Sequence, residues 1–337
     1  MDESVLRGEE DAGRWDLLLA GRAAPREMLI RHLAVVAAVP LVSGVAVVVA
    51  LWSADPGPAG ALVHGTGIAV AGLSAIAVAA LTAQIPPTRA PTTGAAFAVR
   101  RAIGPVPAWS AGIGAYFLLI GLTAFLTGNP AFAGAAAPAG FTGMDTVPGF
   151  AATLFALLAL PAGAFTAVRM GAFAAAETDR HLTGPAAQPV SRTRLLGAET
   201  AVTGAGALLL LGVAALAFWA GAVVSGGGPA LSDALAGAVN TLPVVALSLG
   251  AAILALGAAP RLTGLAGTLP GTGGFLLQVL ADGTGAPPWV REMSPFAHLA
   301  PVPLSDVAWP AAAVMTGVAI VLTMVGTVAY RHRDLHL

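Results

Sequence analysis

The chain has 337 residues, of which 57% are hydrophobic and 10% charged, and its net charge at pH 7 is −1. It contains no cysteine, and all 16 of its basic residues are arginine. These features exclude disulfides and thiolate ligands, a Walker A loop with its phosphate-reaching lysine, lysine Schiff-base chemistry and the basic field that nucleic acid requires.

Soluble domains carry about a quarter charged residues. Here apolar runs near the length that crosses a hydrocarbon core of about 30 Å recur along the chain, and they lack the polar face that a water-soluble helix presents. The expected fold is an all-α polytopic membrane protein. Residues 1–28 form a polar segment holding Glu9, Glu10, Asp11, Arg14, Asp16, Arg22 and Arg26, with an amphipathic turn or two around residues 15–19. A start so charged predicts no cleavable signal peptide.

The first span is expected over 29–53, kinked at Pro40 and ending near Trp52, a residue favoured at the headgroup level. The second covers about 61–85, with His64 read as an interfacial histidine in preference to a proton relay. Residues 86–107 carry Arg100 and Arg101, which would make a crossing costly, so this stretch is expected to be interfacial or the remnant of a span. The third and fourth spans are expected over 109–127 and 148–168, the latter ending at Arg169. A second polar segment, AAETDRHLTGPAAQPVSRTRLL, contains Glu177, Asp179, Arg180, Arg192 and Arg194. Spans over 195–224 and 235–259 follow, separated by a glycine-rich turn over 226–234. Residues 262–281, counted as the seventh span, are apolar but interrupted by Pro270, Gly271, Gly273 and Gly274, the pattern of a discontinuous helix or a re-entrant pair. An outer loop over 282–306 precedes the last span, 307–330, and the tail RHRDLHL.

Eight spans with a cytoplasmic N-terminus place every arginine except Arg291 on the inner side, 15 of 16. That asymmetry sets orientation because the loops are short. A crossing by 86–107 would invert every later loop and destroy it. The expected domains are therefore a cytoplasmic segment (1–28), a first membrane half (29–169), a cytoplasmic loop (170–194) and a second membrane half (195–337). An internal repeat supports the division. At an offset of 166 residues, Asp11, Arg14, Arg26 and Leu29 fall on Glu177, Arg180, Arg192 and Leu195, and a long span follows each set. Transporters commonly place binding sites between such halves.

With both polar segments in view, GEEDAGRWDLLLAGRAAPREMLIRHL resembles the acid-acid-x-x-Gly-Arg-x-x-x-Leu-Leu loop of ABC-2-type transporter permeases. More narrowly, the chain is similar to the actinobacterial permeases described as polyketide-antibiotic or multidrug exporters. AETDRHLTGPAAQPVSRTRLL looks like a second copy, with Pro189, Val190, Ser191 and Arg192 as its signature. PPWVREMSPFAHLAPVPLSDVAW, followed by one span and an Arg-x-Arg-Asp-Leu end, is a third match. The resemblance implies two degenerate halves of an ABC-2 (type V exporter-like) permease in the plasma membrane, both termini cytoplasmic. It also implies a hydrophobic small-molecule substrate, antibiotic or drug-like, moved outward, and a separate ABC ATPase subunit, expected as a homodimer, that binds ATP and Mg. This chain would bind no cofactor or metal itself.

Family members of this kind carry two spans before the first loop, whereas this sequence starts at the loop. A reduced permease, a truncated one, and a split one completed by another membrane chain all stay open. The implied ATPase-coupling residues are Glu9, Glu10, Gly13, Arg14 and Arg26 in the first segment, and Glu177, Arg180, Pro189, Ser191 and Arg192 in the second. Ser294, Pro295, Phe296 and His298 are the implied outer gate. Acids and arginines suit docking because they pair with complementary charges on a partner, and the guanidinium fork fixes orientation. Small residues of the fifth span, such as Gly204, Gly206 and Gly212, are candidates to line the substrate path, although glycines in membrane helices more often serve packing. Rival classes are a proton-coupled secondary transporter, which needs intramembrane carboxylates and for which only Glu199, near the cytoplasmic end of the fifth span, approaches such a position, and a non-transporting scaffold. The sequence contains neither His-x-x-Glu-His nor Gly-x-Ser-x-Gly, which argues against an intramembrane enzyme.

Overall fold

Long runs of alanine, leucine, valine and glycine have no water to satisfy their backbone in a bilayer, so they form helices. The computed structural model describes residues 25–54, 94–123, 146–178, 192–226 and 228–333, and these are mostly helical, without a strand among them. Helix α1 (Pro25–Ala54) begins with a proline in its first turn and runs through Pro40. Helices α2 (Gly94–Ile103) and α3 (Pro105–Leu122) follow, then α4 (Val147–Thr178), α5 (Arg192–Val224), α6 (Leu231–Asn240) and α7 (Leu242–Ala258). A 3₁₀ turn (Pro260–Leu262) leads to α8 (Thr263–Thr268), a π-helical turn (Leu269–Gly273) and α9 (Gly274–Thr284). The short α10 (Pro288–Glu292), a 3₁₀ turn (Pro295–His298) and α11 (Trp309–His332) complete the order.

Five helical stretches among the described residues are long and apolar enough to cross a membrane: Ala98–Leu122, Val147–Glu177, Arg192–Val224, Leu231–Ala258 and Trp309–His332. The chain is thus a multi-pass membrane protein. The span expected over 61–85 lies outside the described residues.

Several boundaries differ from the expectation. The third span reaches back through Gly104 to Ala98, so part of the stretch read as interfacial continues the crossing helix. Ala98 and Ala102 bury against the bundle, which lengthens the span without adding a crossing. Helix α4 does not stop at Arg169 but continues to Thr178, because Arg169 finds its partners inside the bundle. The sixth span is broken at Thr241, beside Pro243. The 262–281 stretch keeps one helical path. Pro270 lacks the N–H that an α-turn uses, and the wider π turn around it absorbs the break.

Helix α4 and the α6–α7 run are the most buried of the five stretches, whereas α2–α3 and α11 lie at the periphery. Helix α5 packs on α2 and α3, and α7 packs on both α4 and α11. The core is aromatic: Phe155 lies edge-on to Phe218 at 5.4 Å and stacks with Phe117 at 6.0 Å. A second apolar cluster, with Met170, Phe173, Leu196, Ile253, Leu256 and Tyr330, fills the end where α4, α7 and α11 finish and α5 begins. That end carries the arginines, and the functional groups gather there.

Candidate functional site: the charged end of the bundle and a lateral cavity

Two polar networks occupy the charged end. The inner one joins α4 to α5. Arg169 donates from Nη2 to Glu199 Oε1 at 2.5 Å and from Nη1 to the Arg101 carbonyl at 2.5 Å. Arg169 is 3% exposed and Glu199 fully buried. An isolated charge in this apolar setting would be very costly, and the pair cancels it locally. The Arg101 guanidinium stands 5.7 Å from the centre of the Phe173 ring, within cation–π range. Arg169 Nε, Glu199 Oε2 and the Thr203 hydroxyl, one turn beyond Glu199, are buried without a hydrogen-bond partner among the described residues.

The outer network closes the rim. Glu177, in the last turn of α4, receives a hydrogen bond from the Tyr330 hydroxyl on one carboxylate oxygen and from Arg333 Nη2, at 2.8 Å, on the other. Arg333 also donates from Nη1 to the Leu256 carbonyl at 2.5 Å, near the end of α7. Its guanidinium lies 5.3 Å from the Tyr330 ring centre. Arg192, the first residue of α5, donates to the Arg333 carbonyl at 3.3 Å. Both ends of segment 179–191 therefore meet at Arg333, which in turn grips α7 and α11. The fork of arginine suits this because it can hold two acceptors at once.

Of the residues implied for ATPase coupling, Glu177 and Arg192 are brought together here. The Glu177 carboxylate is turned onto its own chain, with the side chain 5% exposed, while Arg192 is exposed. Arg26 lies in the first turn of α1. Glu9, Glu10, Gly13, Arg14, Arg180, Pro189 and Ser191 lie outside the described residues.

At the other end, the implied gate residues form a folded corner. The Ser294 hydroxyl is fully buried, donates to the Gly274 carbonyl at 2.8 Å and accepts from the Phe296 amide at 3.1 Å. Phe296 meets Phe275 edge-on at 5.7 Å. Exposed His298 contacts the Glu292 carbonyl at 2.8 Å. Asn240, at the break between α6 and α7, donates to the Ala300 carbonyl at 2.9 Å and ties this loop to the bundle.

Between α5 and α11, with α7 as its floor, lies a cavity of about 670 Å³. Leu208, Leu249, Trp309, Thr316 and Ile320 are among its walls, and Thr166 and Asn240 add polar atoms. No charged side chain lines it. Its volume falls within the range of about 300–1,000 Å³ typical of small-molecule sites. Leu208, Trp309 and Ile320 are also exposed, so among the described residues the cavity opens on the side of the bundle.

The sequence reading missed both pairings. Glu199 is visible as a lone acid in an apolar run, but nothing marks Arg169, 30 residues earlier, as its partner. Tyr330 and Arg333 read only as the end of the last span and part of a tail motif. No group of three or more His, Asp or Glu side chains that could hold a metal occurs among the described residues. No curated protein matches the chain. One family model does, that of the multidrug efflux system permease Rv1217c, C-terminal domain, and it matches residues 92–331. The match takes in the candidate spans from α2 into α11, the inner polar network and the cavity, and it stops two residues short of Arg333; the chain belongs to this family of multidrug efflux permeases.

Proposed function

We propose that the chain is the membrane-spanning permease of an ABC exporter, which moves a hydrophobic small molecule outward while a separate ATPase supplies the energy. The observation that carries this reading is the joint at Arg333. It gathers the last turn of α4, the first turn of α5, the end of α7 and the end of α11 around the two ends of segment 179–191. A displacement of that segment by a partner would reach four helices through one residue, whose guanidinium holds α4 and α7, whose carbonyl receives Arg192 of α5 and whose backbone continues α11, as transmission of a rigid-body change requires. The proposed docking groups are the exposed Arg192, with Arg180, Pro189 and Ser191 of the same segment and Glu9, Glu10, Gly13, Arg14 and Arg26 of the first. Glu177 acts behind them as the inner anchor. In this reading the bundle has eight spans, with the arginine-bearing end and both termini cytoplasmic. Ser294, Pro295, Phe296 and His298 close the outer side.

Charge reversal at Arg180 and Arg192 tests the docking role. Co-purification of the ATPase subunit is expected to fall by about tenfold, equivalent to about 1.4 kcal/mol, while membrane insertion stays intact. Unchanged co-purification would remove the role. A second reading, proton-coupled transport, draws on the unpartnered and buried Glu199 Oε2. Wild-type proteoliposomes separate the two: export that follows ATP and ignores an imposed pH gradient rules out the proton-driven reading, and the reverse rules out the first.

A further inference from the structure

The glycines of the bundle fall into two groups that sequence alone does not distinguish. At Gly250 and Gly326 an added Cβ would lie 2.7 Å from the Ala319 carbonyl oxygen and 2.5 Å from the Leu254 amide nitrogen. These glycines exist so that α7 and α11 can touch. At Gly204 on α5 and Gly317 on α11 an added Cβ would meet nothing within 4 Å. Both of these line the same cavity, from opposite walls. Their missing side chains do not serve contact; they leave volume open where α5 and α11 face each other.

We infer that this cavity is the binding site for the exported molecule and that it selects uncharged lipophilic compounds of drug size, taken directly from the bilayer. The inference rests on the exporter reading above and deepens it. The absence of any charged wall residue is the basis for the charge class. A cation or an anion entering here would lose its hydration and gain no counter-charge, whereas an apolar molecule gains buried contact. Trp309 stands at the mouth, 69% exposed, and offers an aromatic face. Thr166, Thr316 and Asn240 place a few polar atoms in an otherwise apolar wall, the arrangement that orients small ligands. Gly204 is 12 residues from the start of α5, or about 18 Å at 1.5 Å per residue, so the cavity is separated from the Arg333 joint and responds to it through the helices they share, α4, α5, α7 and α11.

Because nothing adjoins the two positions, Gly204→Leu and Gly317→Leu fill the cavity without disturbing the packing, and both variants should fold. The full-length protein in nanodiscs is photolabelled with tritiated benzophenone, an uncharged lipophilic probe, and the labelled peptides are mapped. Saturable labelling is expected on the peptides carrying Leu208, Leu249 and Ile320. Each leucine variant should lower it by about tenfold, with wild-type thermal stability. Excess unlabelled benzophenone should compete, and tetraphenylphosphonium, a lipophilic cation, should not. Labelling that is unsaturable and spread over all exposed helix faces would overturn the site, as would labelling unaltered in both variants. Competition by the cation would overturn the charge class, and a co-purifying phospholipid lost only in the leucine variants would identify a lipid site instead. Failure of the exporter reading looks different: saturable, variant-sensitive labelling without ATP-driven efflux keeps the site and removes the transport role.

Discussion

Removing one partner of the Arg169–Glu199 pair leaves the other charge buried in an apolar bundle. Glu199→Gln or Arg169→Met should each destabilise the protein by about 3–5 kcal/mol. The double variant Arg169→Met with Glu199→Leu should recover most of that loss, measured as thermal unfolding in detergent. If single and double variants lose the same amount, the pair does not act as a unit. At the rim, Arg333→Lys tests the fork directly. One ammonium cannot serve both the Glu177 carboxylate and the Leu256 carbonyl in the geometry of the guanidinium, so lysine should recover little of the stability lost in Arg333→Ala. Tyr330→Phe removes one hydrogen bond to a charged acceptor and should cost about 1.5–3 kcal/mol; a loss indistinguishable from zero would mean that the hydroxyl contributes nothing. At this scale the sequence was half legible. A glutamate in an apolar run announces a constraint, and an acid–arginine pattern around 177–192 announces a contact region. Which arginine answers which acid depends on separations of 30 and 156 residues that no local pattern encodes.

Helices in lipid gain nothing from hiding apolar surface, since the tails are as apolar as leucine, and so pack through small residues and close contact. The α7–α11 pair shows this in a seven-residue spacing: Gly250 and Gly257 on α7 lie against Ala319 and Gly326 on α11. Gly257→Val and Gly326→Val push a side chain into backbone. Each should cost about 1–3 kcal/mol or more, read as lost folded yield and an earlier unfolding midpoint. Retention of wild-type yield in both would mean that the crossing is looser than described. Gly317, nine residues before Gly326 on the same helix, should tolerate leucine. Helix existence was legible from apolar length alone. Helix ends were not: α4 outruns its expected stop by ten residues because a buried arginine found partners, and Pro270 widens a helix that it was expected to break.

For the molecule as a whole, the absence of native cysteine makes orientation directly measurable. In a His332→Cys variant the thiol is expected to react with an impermeant maleimide only after the cells are opened, and in a Ser305→Cys variant it should react in intact cells. The opposite pattern would invert the topology and place the Arg333 joint out of reach of any cytoplasmic ATPase. The sequence by itself determined the membrane-spanning class, the exclusion of lysine and cysteine chemistry, and the asymmetry of arginine that predicts orientation. It could do so because a bilayer imposes constraints along the chain: a length to be crossed and a side on which charge must stay. Only the tertiary structure decided which charges neutralise each other, and which glycines bring helices into contact and which leave a cavity. Those outcomes depend on what stands across from a residue, and a bundle brings distant parts of the chain face to face without leaving a local trace of it.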